Sequence, residues 1–256
     1  MKWGLTCGLL LLAAVAQAAV TQAVDAYTRA LATQDRDERL AGFRESERQF
    51  LQVIAGGVEN ADLYTNLGNA ALQGEHLGAA VLAYRRALRL DPDHTRALQN
   101  LEHARGLLAD WVPRREPAGL ASSFFFWHRT LAREERALAG AFCFLVAGAL
   151  IAGGIHFRQS ALRNSAWVPG LAWLVLMISL AIDAGGGDRE DAVVVAEEAV
   201  LRVADSALAP VALPRPLPAG AEVRVLEVRS PWLHVRLANG RDAWLAEDRV
   251  ARVGAG

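Results

Sequence analysis

The residue types that perform covalent or metal chemistry are present, but their spacing does not assemble them. The histidines, His76, His94, His103, His128, His156 and His234, are scattered, and none stands in an H-E-x-x-H pattern. Two cysteines, Cys7 and Cys143, are too few for a disulfide scaffold or a thiolate zinc site. There is no G-x-S-x-G elbow. Gly185-Gly186-Gly187 lacks the Lys-Ser/Thr pair that completes a phosphate loop, so it reads as linker. The run Asp35-Arg36-Asp37-Glu38-Arg39 reads as solvated helix surface. No metal ligand set, cofactor or catalytic group is expected, and the chain reads as a non-enzyme. What the side chains offer is recognition. Thr65, Asn66, Asn69 and Gln73 lie along one helical stretch, and Arg96, Asn100 and His103 along the next. Amides and a cation facing a groove suit an extended peptide or a C-terminal carboxylate. An ordinary solvated helix face would use the same residues. Near the C-terminus, Trp232 reads equally as the wall of a peptide or wall-polymer groove and as core, while Trp244 reads as core.

The elements that must position these residues follow from composition and period. The 256 residues carry 27 Lys+Arg against 28 Asp+Glu, a net charge of −1. The near-neutral pI of about 6.6 argues against a nucleic-acid binder held by phosphate contacts. The apolar fraction is 53%, above the usual range of about 45–50%, and the excess sits in three runs. The first run opens the chain. Lys2, an apolar stretch over 9–16 and the site Ala16-Gln17-Ala18 make 1–18 a secretory signal peptide cleaved after Ala18, with an uncleaved anchor helix as the alternative. Cleavage would remove Cys7 and commit the rest of the chain to export.

Residues 19–110 read as helical. Ala26, Tyr27, Ala30 and Leu31 recur at three and four, as do Leu40, Phe43, Phe50, Leu51 and Ile54. Gly56-Gly57 is the expected helix stop, by positive φ. A helix pair is predicted over 63–73 and 77–90, turning at Gly74 and stopped by Asp91-Pro92, with a third helix over 95–109. Tyr64, Leu67, Gly68, Ala71, Ala80, Tyr84, Ala87 and Pro92 match in register the tetratricopeptide repeat, which the segment resembles. In that pattern Gly68 and Ala80 are small because two helices cross there, and Tyr64 and Tyr84 fill the volume between turns. Two to three such units are expected.

Residues 111–137 read as a linker with an aromatic approach to a membrane, Phe124-Phe125-Phe126-Trp127. Two apolar runs, 138–155 and 166–182, are predicted to cross it. The link 156–165 carries Arg158 and Arg163 and no acid, so it is expected in the cytoplasm with both flanks outside. Arg129, Arg133 and Arg136 conflict with that rule, but the leader sets the same orientation. Gly140, Gly148, Ala152, Gly153 and Gly154 offer a face for close helix contact. After the linker 183–191, residues 192–253 switch to period two, with short strands predicted over 192–195, 200–203, 222–228, 232–237 and 241–245 and a hairpin turn at Asn239-Gly240. Leu217-Pro218-Ala219-Gly220, Val223, Val225, Trp232, Val235, Leu237, Asn239-Gly240 and Trp244-Leu245 resemble a bacterial SH3-like barrel, with Ala243 replacing the usual Gly before the second Trp.

The expected chain is therefore multidomain: a short all-α tetratricopeptide-repeat array, two transmembrane helices and a small all-β SH3-like barrel. That order resembles the BatE-type proteins of the Bacteroides aerotolerance operon. The resemblance implies a multi-pass protein of the bacterial inner membrane with both folded domains in the periplasm, partnered with von Willebrand A-domain membrane proteins and a MoxR-type ATPase. Its implied role is a protein-binding scaffold linked to stress or oxygen tolerance. Two other readings remain open: a peptidoglycan-attachment module, and an assembly factor for exported cytochromes or secretion machinery.

Overall fold

The computed structural model describes residues 2–114, 133–185 and 191–254. The aromatic run Phe124-Phe125-Phe126-Trp127, Arg129 and the pair Gly186-Gly187 lie outside the described residues, as do the side chains of the expected leader's apolar stretch and of Asp183. The chain is mostly helical with a small antiparallel sheet, and it divides into two units.

The first unit joins the N-terminal helices to the C-terminal strands. Its helices are α1 (Lys2–Ala32), α2 (Arg36–Ala55), α3 (Ala61–Gln73), α4 (Leu77–Leu90) and α5 (Thr95–Gly106). Side-chain caps start three of them. Asp35 Oδ1 accepts from the Glu38 amide, Asn60 Oδ1 from Leu63 at 2.7 Å, and His94 Nδ1 from Ala97, each satisfying an amide that the first turn leaves without a partner. Gly57, at φ +88°, ends α2. Successive helices pack as antiparallel neighbours. α1 and α2 cross closely because Gly42 has no side chain: a Cβ there would stand 2.8 Å from that of Ala30. α3 and α4 cross over Gly68, where a Cβ would meet the Tyr84 ring at 2.4 Å. Tyr64 and Tyr84 are fully buried, as are Ala70, Ala71, Ala80 and Ala87 around them. Small residues thus bring the backbones together, and two phenol rings fill what remains.

The strands are β1 (Asp191–Val194), β2 (Glu198–Ala199), β3 (Leu217–Pro218), β4 (Glu222–Arg229), β5 (Trp232–Leu237), β6 (Asp242–Ala246) and β7 (Val250–Arg252). Five form an antiparallel sheet in the order β6-β5-β4-β1-β7, and β2 pairs with β3. Gly240, at φ +82°, turns the chain from β5 to β6. Two sequence expectations are corrected. Residues 200–203 are not a strand: the pairing falls one step earlier, at Glu198–Ala199, and only Arg202 bridges onward, to Val211 and Trp244. β7 was not anticipated, because its three half-buried residues are too short for a period.

The sheet packs on the helices through β1, whose four residues are all buried. Its alternation serves two cores. Ala192 and Val194 join Leu233, Val235 and Leu245 within the sheet, while Val193 faces Ala80, Val81 and Tyr84 of the helices. Leu108 and Val112, just after α5, complete the sheet's core. Gly78 permits the approach, since a Cβ there would lie 2.6 Å from the Val194 carbonyl oxygen. Around this seam Arg105 donates twice to Glu222 at 2.7 and 2.9 Å, and Arg85 donates to Asp191 at 2.5 Å. Arg86 and Arg89 of α4 donate to the carbonyls of Arg252 and Gly254.

The second unit holds α6 (Arg133–His156), the short α7 (Ser160–Ser165) and α8 (Trp167–Gly185). Two stretches, Glu134–His156 and Ser160–Ala181, are long and apolar enough to cross a membrane, with mean hydropathies of 2.2 and 1.5. α6 and α8 run antiparallel. Arg136 donates to Ser179 at 2.7 Å, Gly140 faces Met177, and the Phe144 and Trp173 rings stand 5.6 Å apart. Gly154 lies against the backbone of Arg163, whereas Gly148 and Gly153 have open space where a Cβ would point. Only part of the small-residue face is used within this pair. Arg136, which ran against the charge rule, is 5% exposed and bonded across the hairpin.

Candidate functional site

The residues with free recognition chemistry lie on α1, α3 and α5. Gly68 is where the arrangement begins. Its missing side chain lets the Tyr84 ring slide under α3, and the Tyr84 hydroxyl emerges beside Asn69, donating to Asn69 Oδ1 at 2.9 Å. The same oxygen accepts from Asn100 Nδ2 at 2.7 Å, which ties α3 to α5. Both acceptor sites of the Asn69 carbonyl are therefore filled, and its amide N–H₂ has no partner among the described residues. The opposite orientation of that amide would leave the buried phenol hydrogen without an acceptor.

Beside Asn69 is a recess of about 90 Å³ lined by Val24, Tyr27, Phe50, Asn66 and Asn69. α1 supplies Val24 and Tyr27, α2 supplies Phe50, and α3 supplies the two amides. Phe50 is buried and forms the floor, while Asn66 is half-buried and has no hydrogen-bond partner among the described residues. Tyr27 stacks at a tilt on Phe43, their centroids 5.2 Å apart. Burial raises the Tyr27 phenol above its ordinary pKa, and burial pushes Tyr84 up much further, with the nearby Tyr27 adding to the effect. Both rings stay neutral, so no lining residue of the recess carries a charge.

Of the residues singled out in the sequence, Asn66, Asn69 and Asn100 come together here. Gln73 and His103 are exposed further along the same stripes of α3 and α5, with no hydrogen-bond partner among the described residues. Arg96 is diverted. Its guanidinium is bonded to Asp62, to which His94 Nε2 also bonds at 3.1 Å. His94, and then Arg96, hold the Asp62 carboxyl below its usual range. Thr65 is corrected: it is fully buried under α5, its hydroxyl donating to the Ala61 carbonyl and facing His94 Nδ1 at 3.5 Å. Val24, Tyr27 and Phe50 were not foreseen as site residues, because the apolar period in which Tyr27 stood points equally to core.

On the outward face of the sheet, Trp232 is half-buried. Trp244 is not core. In β6 the buried positions are Ala243 and Leu245, so strict alternation turns Trp244 outward. There it stacks on His234 with centroids 4.8 Å apart, and the Arg229 guanidinium lies 5.0 Å from the ring centre. No cluster of three or more metal-binding side chains occurs among the described residues. Searches against protein families, curated proteins and solved structures found no match to this chain.

Proposed function

We propose that the protein is a membrane-anchored scaffold that holds a segment of a partner protein against the groove of α1, α3 and α5. In this reading the helices act as a tetratricopeptide-like array and the sheet as an SH3-like module on the same side of the bilayer. The single observation that carries it is the composite first unit: helices before the apolar pair and strands after it interlock into one body, whose α1, α2 and α3 leave an open, amide-lined recess. Interlocking requires both flanks to lie on one side, so the segment between them crosses an even number of times. The antiparallel pairing of α6 and α8 supports two crossings. Arg158 and Arg163, in the turn, favour the cytoplasm for that turn and the periplasm of a bacterium for the folded unit. Cleavage after Ala18 would spare every α1 residue that lines the recess. The resemblance to the aerotolerance-operon proteins makes A-domain membrane proteins and a MoxR-type ATPase the expected company.

The test is quantitative capture from detergent-solubilised membranes by the tagged full-length chain and by its Asn66→Ala/Asn69→Ala variant. A-domain proteins or the ATPase should be recovered with the first and depleted with the second. Equal recovery by a folded variant would move the contact away from the groove. Side is tested separately with Gln73→Cys, Asn239→Cys and Ser160→Cys in a chain whose Cys7 and Cys143 are serine. A membrane-impermeant maleimide should label positions 73 and 239 from one side and 160 from the other.

A further inference from the structure

We infer that the loop from Val203 to Val211 is a lipid-contacting knuckle, which sets the Leu208 side chain into the headgroup layer of the bilayer that anchors the chain. This rests on reading α6 and α8 as membrane-spanning and is independent of the groove.

The loop's character begins in its sequence. From Ser206 to Pro214 no residue carries a charge. Leu208 is 96% exposed, and Val203 and Val211 are each 57% exposed. Single exposed leucines are ordinary on a protein surface, but this one is held on a built support. The Arg202 guanidinium donates inward to the Ala209 carbonyl at 2.6 Å, and the Ser206 hydroxyl oxygen accepts from the Leu208 amide at 3.2 Å. Both polar side chains are thus spent on the loop's own backbone. The amides of Val203, Ser206 and Ala209 donate to the carbonyls of Pro210, Ala204 and Ser206, and Pro210 has no N–H. A backbone that meets lipid must satisfy its polar groups internally, and this loop does so for much of its length. A protein interface rings its apolar centre with hydrogen bonds, and this tip has few left to give. The nearest charges are Arg202, Arg215 and Arg229 against Asp205 and Glu227, with Arg229 bonded to both acids. The positive excess complements lipid phosphates. The apolar helices already hold the chain at a bilayer, so insertion is intramolecular and one leucine suffices.

The test uses the full-length chain with Cys7 and Cys143 replaced by serine and an environment-sensitive fluorophore on Ala207→Cys. It is reconstituted into vesicles of phosphatidylethanolamine and phosphatidylglycerol that carry a spin label near the headgroup end of the acyl chain. The same fluorophore on Asn239→Cys, in the turn between β5 and β6, is the comparison. Emission from position 207 should be blue-shifted and quenched at least about twofold more than that from 239, and Leu208→Ser should abolish the difference. Because Leu208 is exposed, that variant should melt with its parent. Equal, water-like emission from both positions overturns the inference. A blue shift without quenching means that protein covers the tip, and quenching that survives Leu208→Ser means that the dye alone enters lipid; either result also overturns it. Release of the chain from the vesicles by alkaline carbonate overturns instead the membrane reading on which the inference rests.

Discussion

Replacing Gly68 with alanine tests the packing that the groove depends on. A Cβ on residue 68 would stand 2.4, 2.6 and 2.9 Å from Cε1, Cδ1 and Cζ of Tyr84. Carbon atoms at rest sit about 3.5–4.0 Å apart, so the ring must retreat by about 1 Å. The ring is rigid and fully buried, with α3 and α4 pinned around it by Ala71, Ala80 and Ala87. Overpacking of this kind costs about 1–3 kcal/mol, and the better helix propensity of alanine returns up to about 1 kcal/mol. The net expectation is a loss of about 1 kcal/mol, or about 2–4 °C in melting temperature for a unit of this size. The measurement is thermal unfolding of the detergent-solubilised chain, run as a cycle with Tyr84→Ala. With the ring removed, only the propensity gain is left, so Gly68→Ala should reverse sign and stabilise. A cost that persists in the Tyr84→Ala background, or a wild-type background in which the substitution is neutral, would refute the argument. In that event the Tyr84 hydroxyl is not steered to Asn69 by the glycine.

Three further outcomes are expected. Glu222→Ala removes the acceptor of both Arg105 hydrogen bonds and the ion-pair partner of Arg85 at 3.3 Å, while Arg85 keeps its bond to Asp191; a loss of about 2 kcal/mol is expected in chemical denaturation, with faster proteolytic release of the C-terminal strands from the helices. Gly78→Ala drives a methyl group into the Val194 carbonyl, where backbone cannot swing aside, so denaturation should report a loss of about 1–3 kcal/mol shared by helix and sheet signals in one transition. The three tyrosines, Tyr27, Tyr64 and Tyr84, all have raised pKa values, with burial the largest cause. Their stabilising effect is complete below the unfolded value of 10.0 and is lost as pH climbs above it, so absorbance at the phenolate band should rise at higher pH in the folded chain than in the unfolded one, and Tyr84→Phe should make alkaline unfolding less steep in pH.

The helix pairs were legible because local signals agreed. Gly74 and Pro92 punctuate a three-and-four period, and the small-large complement of Gly68 with Tyr84 lies only sixteen positions apart. The amide stripe was legible for the same reason: 66, 69 and 73 share a face by spacing alone. What spacing cannot convey is occupancy. Arg96 looks available until Asp62, one helix away, is brought beside it, and Thr65 looks exposed until α5 covers it. The seam between helices and sheet was out of reach, since Arg85 meets Asp191 across 106 positions and nothing near either residue announces the other. Trp244 was readable and was misjudged. Alternation through Ala243 and Leu245 turns it outward, but an aromatic in an apolar strand suggests core by type.

The seam also sets a clock. Val112 and Val253 belong to adjoining cores of one body, yet about 140 residues of synthesis separate them. At ~5–20 residues per second, roughly 7–28 seconds pass between the emergence of the last helix and that of the final strand. During that interval Val193 has not yet come to cover Ala80, Val81 and Tyr84, and Arg85 and Arg105 wait for Asp191 and Glu222. The helices must wait, without their sheet, while both long apolar helices are made. Biogenesis of this protein is therefore the stage at which it most needs a holding chaperone, and mutations at the seam should first appear as degraded nascent chains, before any loss of function in the mature protein.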